Sequence, residues 1–289
     1  MKQFFLSLLL ITVTMAADAQ GQLKLPALSP NAKISQDFSV SNIEISYSRP
    51  SMRGRKIMGD LVPYGKVWRT GANAATKIKI GEDLEIGGQK VKAGEYALYT
   101  IPGREKWEVI LNTGTTNWGS DGYTTENDVA RFSVRASVMN EEVQSFTINI
   151  TDITFTTCKI EMTWERTKVV IPVVAHNSEA IEVNIDKALN HPQPLPYFQA
   201  ANYYFESDKN FDVAKTYIDK AVADNPKAYY MWNLKARIEK KLGNDEDAVI
   251  AAKKSIETGK GNANEADNTR NNEKLISEIK RRHHKQTID

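Results

Sequence analysis

The spacing of apolar residues changes once along this 289-residue chain, and that change constrains the fold more than any other feature. From Ala32 to His176 apolar and polar residues alternate, which is typical of half-buried β-strands. From Leu195 onward the apolar residues recur at helical spacing instead. One element cannot satisfy both periods, so the sequence predicts a β region followed by a separate α region.

The β region contains about ten short candidate strands separated by turn signals rich in Gly, Asn and Asp. With no helical segment between them, they predict an antiparallel β-sandwich or jelly-roll-like domain over residues 32–176. Gly87-Gly88 predicts a tight hairpin between LEI and QKV. The candidate strands are Ile34–Phe38, Ile43–Ser48, Thr76–Ile80, Leu84–Ile86, Tyr96–Ile101, Trp107–Asn112, Ala130–Ala136, Gln144–Ile150, Phe155–Glu165 and Val169–Val174.

The helical region repeats itself at a spacing of 34 residues, which places Ala214 over Ala248. This spacing and the helix–turn–helix plan resemble tetratricopeptide repeats, although Glu239 stands where that pattern has an aromatic residue. We therefore expect a small all-α, helical-repeat domain over residues 195–283. Two repeats bury little apolar surface by themselves, so we expect the helices to pack on the β domain or to dock a partner.

Two connecting segments complete the predicted domain organisation. Residues 177–194 end in HPQP, the first part of the proline-rich string HPQPLP at 191–196, and predict a semi-extended linker. Residues 284–289 predict a frayed tail.

The N-terminus predicts export. Lys2, the apolar run Phe4–Thr14 and the small residues around Ala19 have the order of a secretory signal peptide, so we expect residues 1–19 to be removed and residues 20–31 to form an N-terminal linker. The apolar run is too short to favour a membrane-spanning helix. The predicted location is periplasmic or secreted, with no membrane span in the mature chain.

Composition excludes several functional classes. The net charge of +2 gives no general reason to expect nucleic-acid binding. Of four histidines, none precedes His176, so the β domain cannot hold a histidine-based nucleophilic site or a histidine-rich metal site. The single cysteine, Cys158, lies on the apolar side of its strand and is predicted to be core. Neither a metal nor a cofactor is expected.

The most unusual segment is Tyr47–Thr76, here called the cationic loop, in which six cations stand against one acid, Asp60. Such a charge density favours a nearby anion. Arginine binds carboxylate or phosphate through two N–H groups, and aromatic rings can stack on a ligand. The candidate ligand-binding residues are Arg49, Arg55, Tyr64, Trp68, Arg69 and Asn73.

A second interpretation of the cationic loop remains open. It could be an ordered surface loop whose arginines pair with acids on the strands and whose Trp68 anchors it to the core. The sequence does not decide between a site and this structural role.

Several strings resemble a known family. YSRPSMRGRKIMG, LVPYGKVWRTGANAAT, AGEYALYTIPGREKWEVILN and NWG are similar, in this order, to the DUF2911 family, a domain of unknown function in exported Bacteroidetes proteins. The resemblance covers about Ser29–His176, and the string Trp68–Asn73 is its most specific part. A helical-repeat extension is similar to that of some members. The resemblance implies export and a shared feature at the cationic loop, but no reaction.

Two functional hypotheses follow, and the catalytic residues of the second are unknown. The first is a non-enzymatic binding module, with an acidic small molecule or glycan at the cationic loop and another exported protein docked on the helices. The alternative is a carboxylate-dependent hydrolase acting on a polysaccharide or other acidic substrate. A structural assembly subunit is a third possibility. Candidate acids for the hydrolase are Glu44, Glu95, Glu108 and Glu161.

Overall fold

The computed structural model describes residues 25–190 and 196–286, with side chains described to His283. The predicted signal peptide, residues 1–19, lies outside the described residues. So do residues 191–195, which contain most of the proline-rich HPQPLP string.

In the part of the chain that the structure describes, nine antiparallel strands form one hydrogen-bonded sheet in the order β1-β2-β3-β6-β7-β8-β9-β4-β5. Alternating apolar residues direct one face of most strands into the interior. Gly87 and Gly88 form the predicted turn between β4 and β5, both at positive φ. The strands are β1 Asn31–Phe38, β2 Ser41–Ser48, β3 Thr76–Ile80, β4 Leu84–Ile86, β5 Gln89–Val91, β6 Gly94–Ile101, β7 Lys106–Asn112, β8 Asp128–Thr151 and β9 Thr157–Ala175.

The long strand β8 folds this sheet over on itself. Its first part pairs with β7 and its second part with β9. As a result β2 faces β8 across the interior, where the Tyr47 hydroxyl accepts a hydrogen bond of 2.9 Å from the Ile148 amide. Strands from both halves contribute to one apolar core, whose largest fully buried side chains include Trp107 and Trp164.

The β8 and β9 strands are longer than the sequence predicts. Ala130–Ala136 and Gln144–Ile150 belong to one strand, and so do most of Phe155–Glu165 and Val169–Val174. The turn that was expected between Ala136 and Gln144 is absent, and β8 continues through this stretch with register shifts between Val138 and Thr147. These irregularities bend a continuous strand without reversing it.

Within the described residues six α-helices follow the sheet, so the predicted order of a β region and then an α region is confirmed. From α2 to α6, helices that are consecutive in the chain pack against each other. They bury mostly alanines and aliphatic residues at their contacts. The helices are α1 Ser178–Leu189, α2 Tyr197–Glu206, α3 Phe211–Asp224, α4 Tyr229–Leu242, α5 Asp245–Thr258 and α6 Glu265–Gln286.

Two boundaries differ from the expected linker and tail. Residues 177–194 were predicted to be semi-extended, yet most of them form α1, because the prolines begin only after the helix has ended. Glu179 in its first turn and Lys187 in its last turn complement the helix dipole. Helix α6 continues to Gln286, inside the segment predicted to be a frayed tail.

Glu239, the residue that departs from the tetratricopeptide pattern, is completely buried in α4. Its carboxylate forms an ion pair with Lys215 of α3 and accepts a hydrogen bond of 2.8 Å from Asn244 Nδ2. A buried charge thus links two helices at this position. The tetratricopeptide resemblance itself stays a prediction.

The two regions meet at an aromatic pair. The Phe155 ring, in the turn between β8 and β9, stacks on Tyr203 of α2 with ring centroids 6.2 Å apart and planes 5° apart. No helix among the described residues is both long and apolar enough to cross a membrane.

Candidate ligand-binding surface

The cationic loop is held to the sheet in two separate places. Its first part lies against β8, where Met52 donates its amide to the Gln144 carbonyl at 2.8 Å. Its second part lies against β6, where Trp68 and Thr100 exchange backbone hydrogen bonds of 2.7 and 2.9 Å. The loop is therefore an ordered structure supported by the sheet over most of its length.

Arg49 and Arg55 direct their guanidinium groups at oxygens of the protein. Arg49 donates from Nε to the Phe146 carbonyl at 3.1 Å and from Nη2 to Thr147 Oγ1 at 2.7 Å. Arg55 donates to the Met52 carbonyl at 3.0 Å and to the Ser51 carbonyl at 2.8 Å. Arg49 ties the loop to β8, whereas Arg55 remains exposed and fixes a turn within the loop.

Trp68 lies among the aromatic rings of the core. Its ring stacks on Trp164 at a centroid distance of 5.9 Å and meets Trp107 and Phe146 edge-on at 6.0 and 5.1 Å. Its indole N–H donates to the Gly71 carbonyl at 3.1 Å. This placement matches the interpretation of Trp68 as a core anchor, because its ring packs against three aromatic side chains of the core.

Tyr64 lies over Gly59, in the same loop. Gly59 has a φ of +84°, and a Cβ at this position would be 2.5 Å from Tyr64 Cε2, so the contact requires glycine. The guanidinium of Arg104 lies 5.1 Å from the centroid of the Tyr64 ring. Tyr64 is partly exposed, and Arg104 adds another cation to this surface.

Arg69 and Asn73 are the two candidate residues that a hydrogen bond brings together. Arg69 Nη1 donates to the Asn73 carbonyl at 3.0 Å, and Asn73 Nδ2 donates to Ser48 Oγ at 3.1 Å. Arg69 also lies against Gly119, where a Cβ would be 2.6 Å from Nη1. Arg69 thus joins the cationic loop to a second loop around residue 119.

The charge of the cationic loop is not neutralised by acids. Within residues 25–190 and 196–283, none of its six cations forms an ion pair with Asp or Glu. Arg53, Lys56 and Lys66 are exposed along with Arg55. The interpretation in which the loop arginines pair with strand acids is therefore wrong, since carbonyl and hydroxyl oxygens hold them instead.

One acid does contact the loop, but it binds backbone. Glu165 of β9 accepts hydrogen bonds from the amides of Ile57 at 3.3 Å and Met58 at 3.1 Å. Both carboxylate oxygens are used in this way, so Glu165 fixes the loop in place.

The four candidate acids of the hydrolase hypothesis are each paired with a cation. A hydrogen bond from Lys33 lowers the pKa of Glu44, which opposes a role as a general acid at neutral pH. Among the described residues no cluster of His, Cys, Asp and Glu is arranged to hold a metal ion. The pairs are Glu44–Lys33 at 2.9 Å, Glu95–Lys77 at 3.3 Å, Glu108–Arg131 at 2.5 Å and Glu161–Lys168 at 2.5 Å.

Sequence reasoning did not select Trp118, which is 69% exposed. Its backbone pairs with Ala74 of the cationic loop. Ala74 borders an open pocket of about 390 Å³, here called the outer pocket, on the outward face of β1, β2 and β3. Only the tryptophan itself, in the polar string NWGSDGY, could have signalled this feature. The outer pocket is lined mainly by Asn31, Lys33, Ser46, Ser48, Ala74 and Lys77.

Comparison with known proteins identifies one family. Searches of curated proteins and of solved structures find no significant match. The family described as "Protein of unknown function (DUF2911)" matches residues 29–173, just over half of the 289 residues. The match contains the folded sheet almost entirely, together with the cationic loop and Trp118. The chain therefore belongs to the DUF2911 family.

Proposed function

We propose that this chain is an exported, non-enzymatic binding module whose cationic loop holds an acidic small molecule or an acidic glycan. The observation that carries the proposal is the absence of ion pairs from the loop: among the described residues, six cations have no acidic partner. Unpaired cations on an ordered surface attract anions. A bound carboxylate, sulfate or phosphate would supply the missing negative charge.

Arg55 is the best-placed residue for such a ligand. A guanidinium has five N–H groups, and Arg55 uses its Nε and Nη2 on the carbonyls of Met52 and Ser51. The rest of the exposed group can donate to a ligand oxygen without losing the bonds that orient it. Because the loop already fixes the side chain, little side-chain entropy is lost on binding.

Export and protein docking are further parts of the proposal. Export is supported by the signal-peptide pattern of residues 1–19. A docking role for the helices is supported by the repeat pattern of the sequence, because two repeats bury little apolar surface by themselves. The partner would be another exported protein.

The hydrolase hypothesis has less support. Catalysis by two carboxylates needs one acid that is protonated and one that is free to act as a base or nucleophile. Glu44, Glu95, Glu108 and Glu161 are instead ion-paired on strands, and Glu165 binds two amides.

A thermal-shift experiment tests the anion site. The mature protein and its Lys56→Glu and Arg55→Gln variants are heated with phosphate, citrate or oligogalacturonate. A ligand at about 100 times its dissociation constant adds roughly 2.7 kcal/mol to the stability of the native state. We expect at least one anion to stabilise the unsubstituted protein and to stabilise both variants less.

The matched control is Lys90→Glu. Lys90 is an exposed lysine of β5 that forms no ion pair with any described residue, so this variant makes the same change of charge outside the loop. Equal stabilisation of Lys56→Glu, Arg55→Gln and Lys90→Glu would mean a general charge effect and would contradict the proposed site. No stabilisation of the unsubstituted protein by any of the anions would contradict it as well.

A further inference from the structure

Trp118 is held rigidly at the surface although the fold makes no use of its ring. Trp118 pairs with Ala74, and the neighbouring Asn117 accepts a hydrogen bond of 3.4 Å from Ala75 with its carbonyl. On the other side, Ser120 Oγ donates to the Val67 carbonyl at 3.2 Å. Backbone position is thus fixed both before and after the tryptophan.

The side chain of Asn117 strengthens this attachment. Its Nδ2 donates to the hydroxyl of Tyr99, a completely buried residue of β6, at 3.2 Å. Tyr99 in turn packs edge-on against Tyr123, with ring centroids 5.1 Å apart. The loop that carries Trp118 is therefore anchored to a buried aromatic residue on its inner side.

The indole of Trp118 has no hydrogen bond and no aromatic contact among the described residues, and the residue is 69% exposed. Tryptophan is highly buried on average in folded proteins. An exposed tryptophan whose backbone is fixed on both sides is preorganised to bind a ligand, because ordering the loop costs nothing further on binding.

The outer pocket supplies polar groups next to Ala74, the residue with which Trp118 pairs. Paired residues on antiparallel strands project their side chains to the same side, which places Trp118 beside Ala74 at the edge of the pocket. The pocket presents the hydroxyl of Ser46 and the amines of Lys33 and Lys77. Each amine also forms an ion pair, Lys33 with Glu44 and Lys77 with Glu95, and an ammonium has three N–H groups, so each can donate to a ligand as well. Its volume of about 390 Å³ lies within the range of roughly 300–1,000 Å³ that is usual for small-ligand sites.

A flat apolar ring beside hydroxyl and ammonium groups is complementary to a sugar. One face of a pyranose ring is made of C–H groups and stacks on an indole, while its equatorial hydroxyls both donate and accept hydrogen bonds. We propose that Trp118 and the outer pocket form a saccharide-binding subsite, with the indole as the stacking platform and Lys33, Ser46 and Lys77 as hydroxyl-binding groups. This subsite differs from the anion site in its residues and in its ligand chemistry.

Titration calorimetry with neutral oligosaccharides tests the subsite. The probes are cellohexaose, maltohexaose and chitotetraose, each added to the mature protein. We expect at least one to bind, Trp118→Ala to weaken that binding by about tenfold or more, and Trp118→Phe to weaken it less because a flat ring remains. Since Trp118 is exposed, both variants should keep the unfolding temperature of the unsubstituted protein.

Val138→Ala provides a matched control, because Val138 is 87% exposed and lies on β8. It should bind the saccharide like the unsubstituted protein. Equal affinity of the Trp118→Ala variant and this control, or no binding of any neutral probe, would overturn the proposal. Failure of the two sites is distinguishable: Lys56→Glu should leave neutral saccharide binding intact, and Trp118→Ala should leave citrate or phosphate binding intact.

Discussion

The indole of Trp68 stacks on that of Trp164, with centroids 5.9 Å apart and planes 20° apart. One ring belongs to the cationic loop and the other to β9, so the most basic segment of the chain is attached to the middle of the core. This contact explains how a loop of like charges stays ordered: aromatic packing holds it from beneath.

Removal of the Trp68 ring should therefore lower stability. We expect Trp68→Ala to reduce the free energy of unfolding by about 3 kcal/mol, since the substitution leaves a cavity between three aromatic rings. Trp68→Phe should cost less. Urea denaturation followed by circular dichroism measures both. Unchanged stability of Trp68→Ala would contradict the anchoring role.

Arg49 should also act on stability. Arg49→Ala removes two hydrogen bonds to β8 and should cost about 1–3 kcal/mol. Arg49→Lys should recover little, because a single ammonium cannot reproduce the two directions in which the guanidinium donates. The measurement is again urea denaturation. Lys66→Ala, which removes an exposed cation of the same loop, should leave the midpoint nearly unchanged.

Cys158 should be inert in the folded protein. It is 2% exposed, and burial raises the pKa of its thiol to about 11 from 9.0. A thiol reagent at pH 8 should therefore modify Cys158 only after urea is added. Rapid modification of the native protein would contradict the buried position.

The same thiol predicts a dependence of stability on alkaline pH. Well below pH 9 the thiol is neutral in both the folded and the unfolded chain, so its contribution is constant. Above the unfolded pKa the unfolded chain ionises first, and stability is lost as the pH rises toward 11. Over that window the loss should approach about 1.4 kcal/mol per pH unit at most. The difference between the unsubstituted protein and Cys158→Ala, measured from pH 7 to 11, isolates this contribution.

Glu239 is expected to be a sensitive position in the helices. Glu239→Ala removes the buried partner of Lys215 and should destabilise the protein by about 3 kcal/mol. Glu239→Met fills the space with apolar atoms and should be less damaging. Thermal unfolding, followed by the circular-dichroism signal of the helices, compares the stabilities of the two variants. Arg270→Ala, which breaks the exposed pair with Asp267, should change little and serves as the control.

The sequence was sufficient for the fold class because alternation and helical spacing report burial directly. It did not predict where individual strands and helices begin and end. In the middle of β8 the alternation of buried apolar and exposed polar residues is interrupted, because Val138 is 87% exposed. The polar residues that follow it resemble those of a turn. Whether such a stretch reverses or continues depends on its partner strand, which local sequence does not specify. Helix α1 was missed because the proline-rich string after it dominated the interpretation.

The sequence predicted which segment contains the candidate site, but not which residues its side chains contact. Composition identified the cationic loop, since like charges at that density are rare. The partners of Arg49 lie 97 and 98 positions further along the chain, and no local pattern links them to it. Trp118 was missed for the same reason, because its exposure depends on how two distant loops pack together.

The continuous strand β8 affects how cooperatively the β region unfolds. Its amides and carbonyls belong to two ladders, with β7 and with β9. Separation of either ladder frees part of the same strand and uncovers the shared core, so the two halves should behave as a single cooperative unit. In native-state hydrogen exchange, amides of β7 and β9 should open with the same free energy, well above that of the edge strand β1.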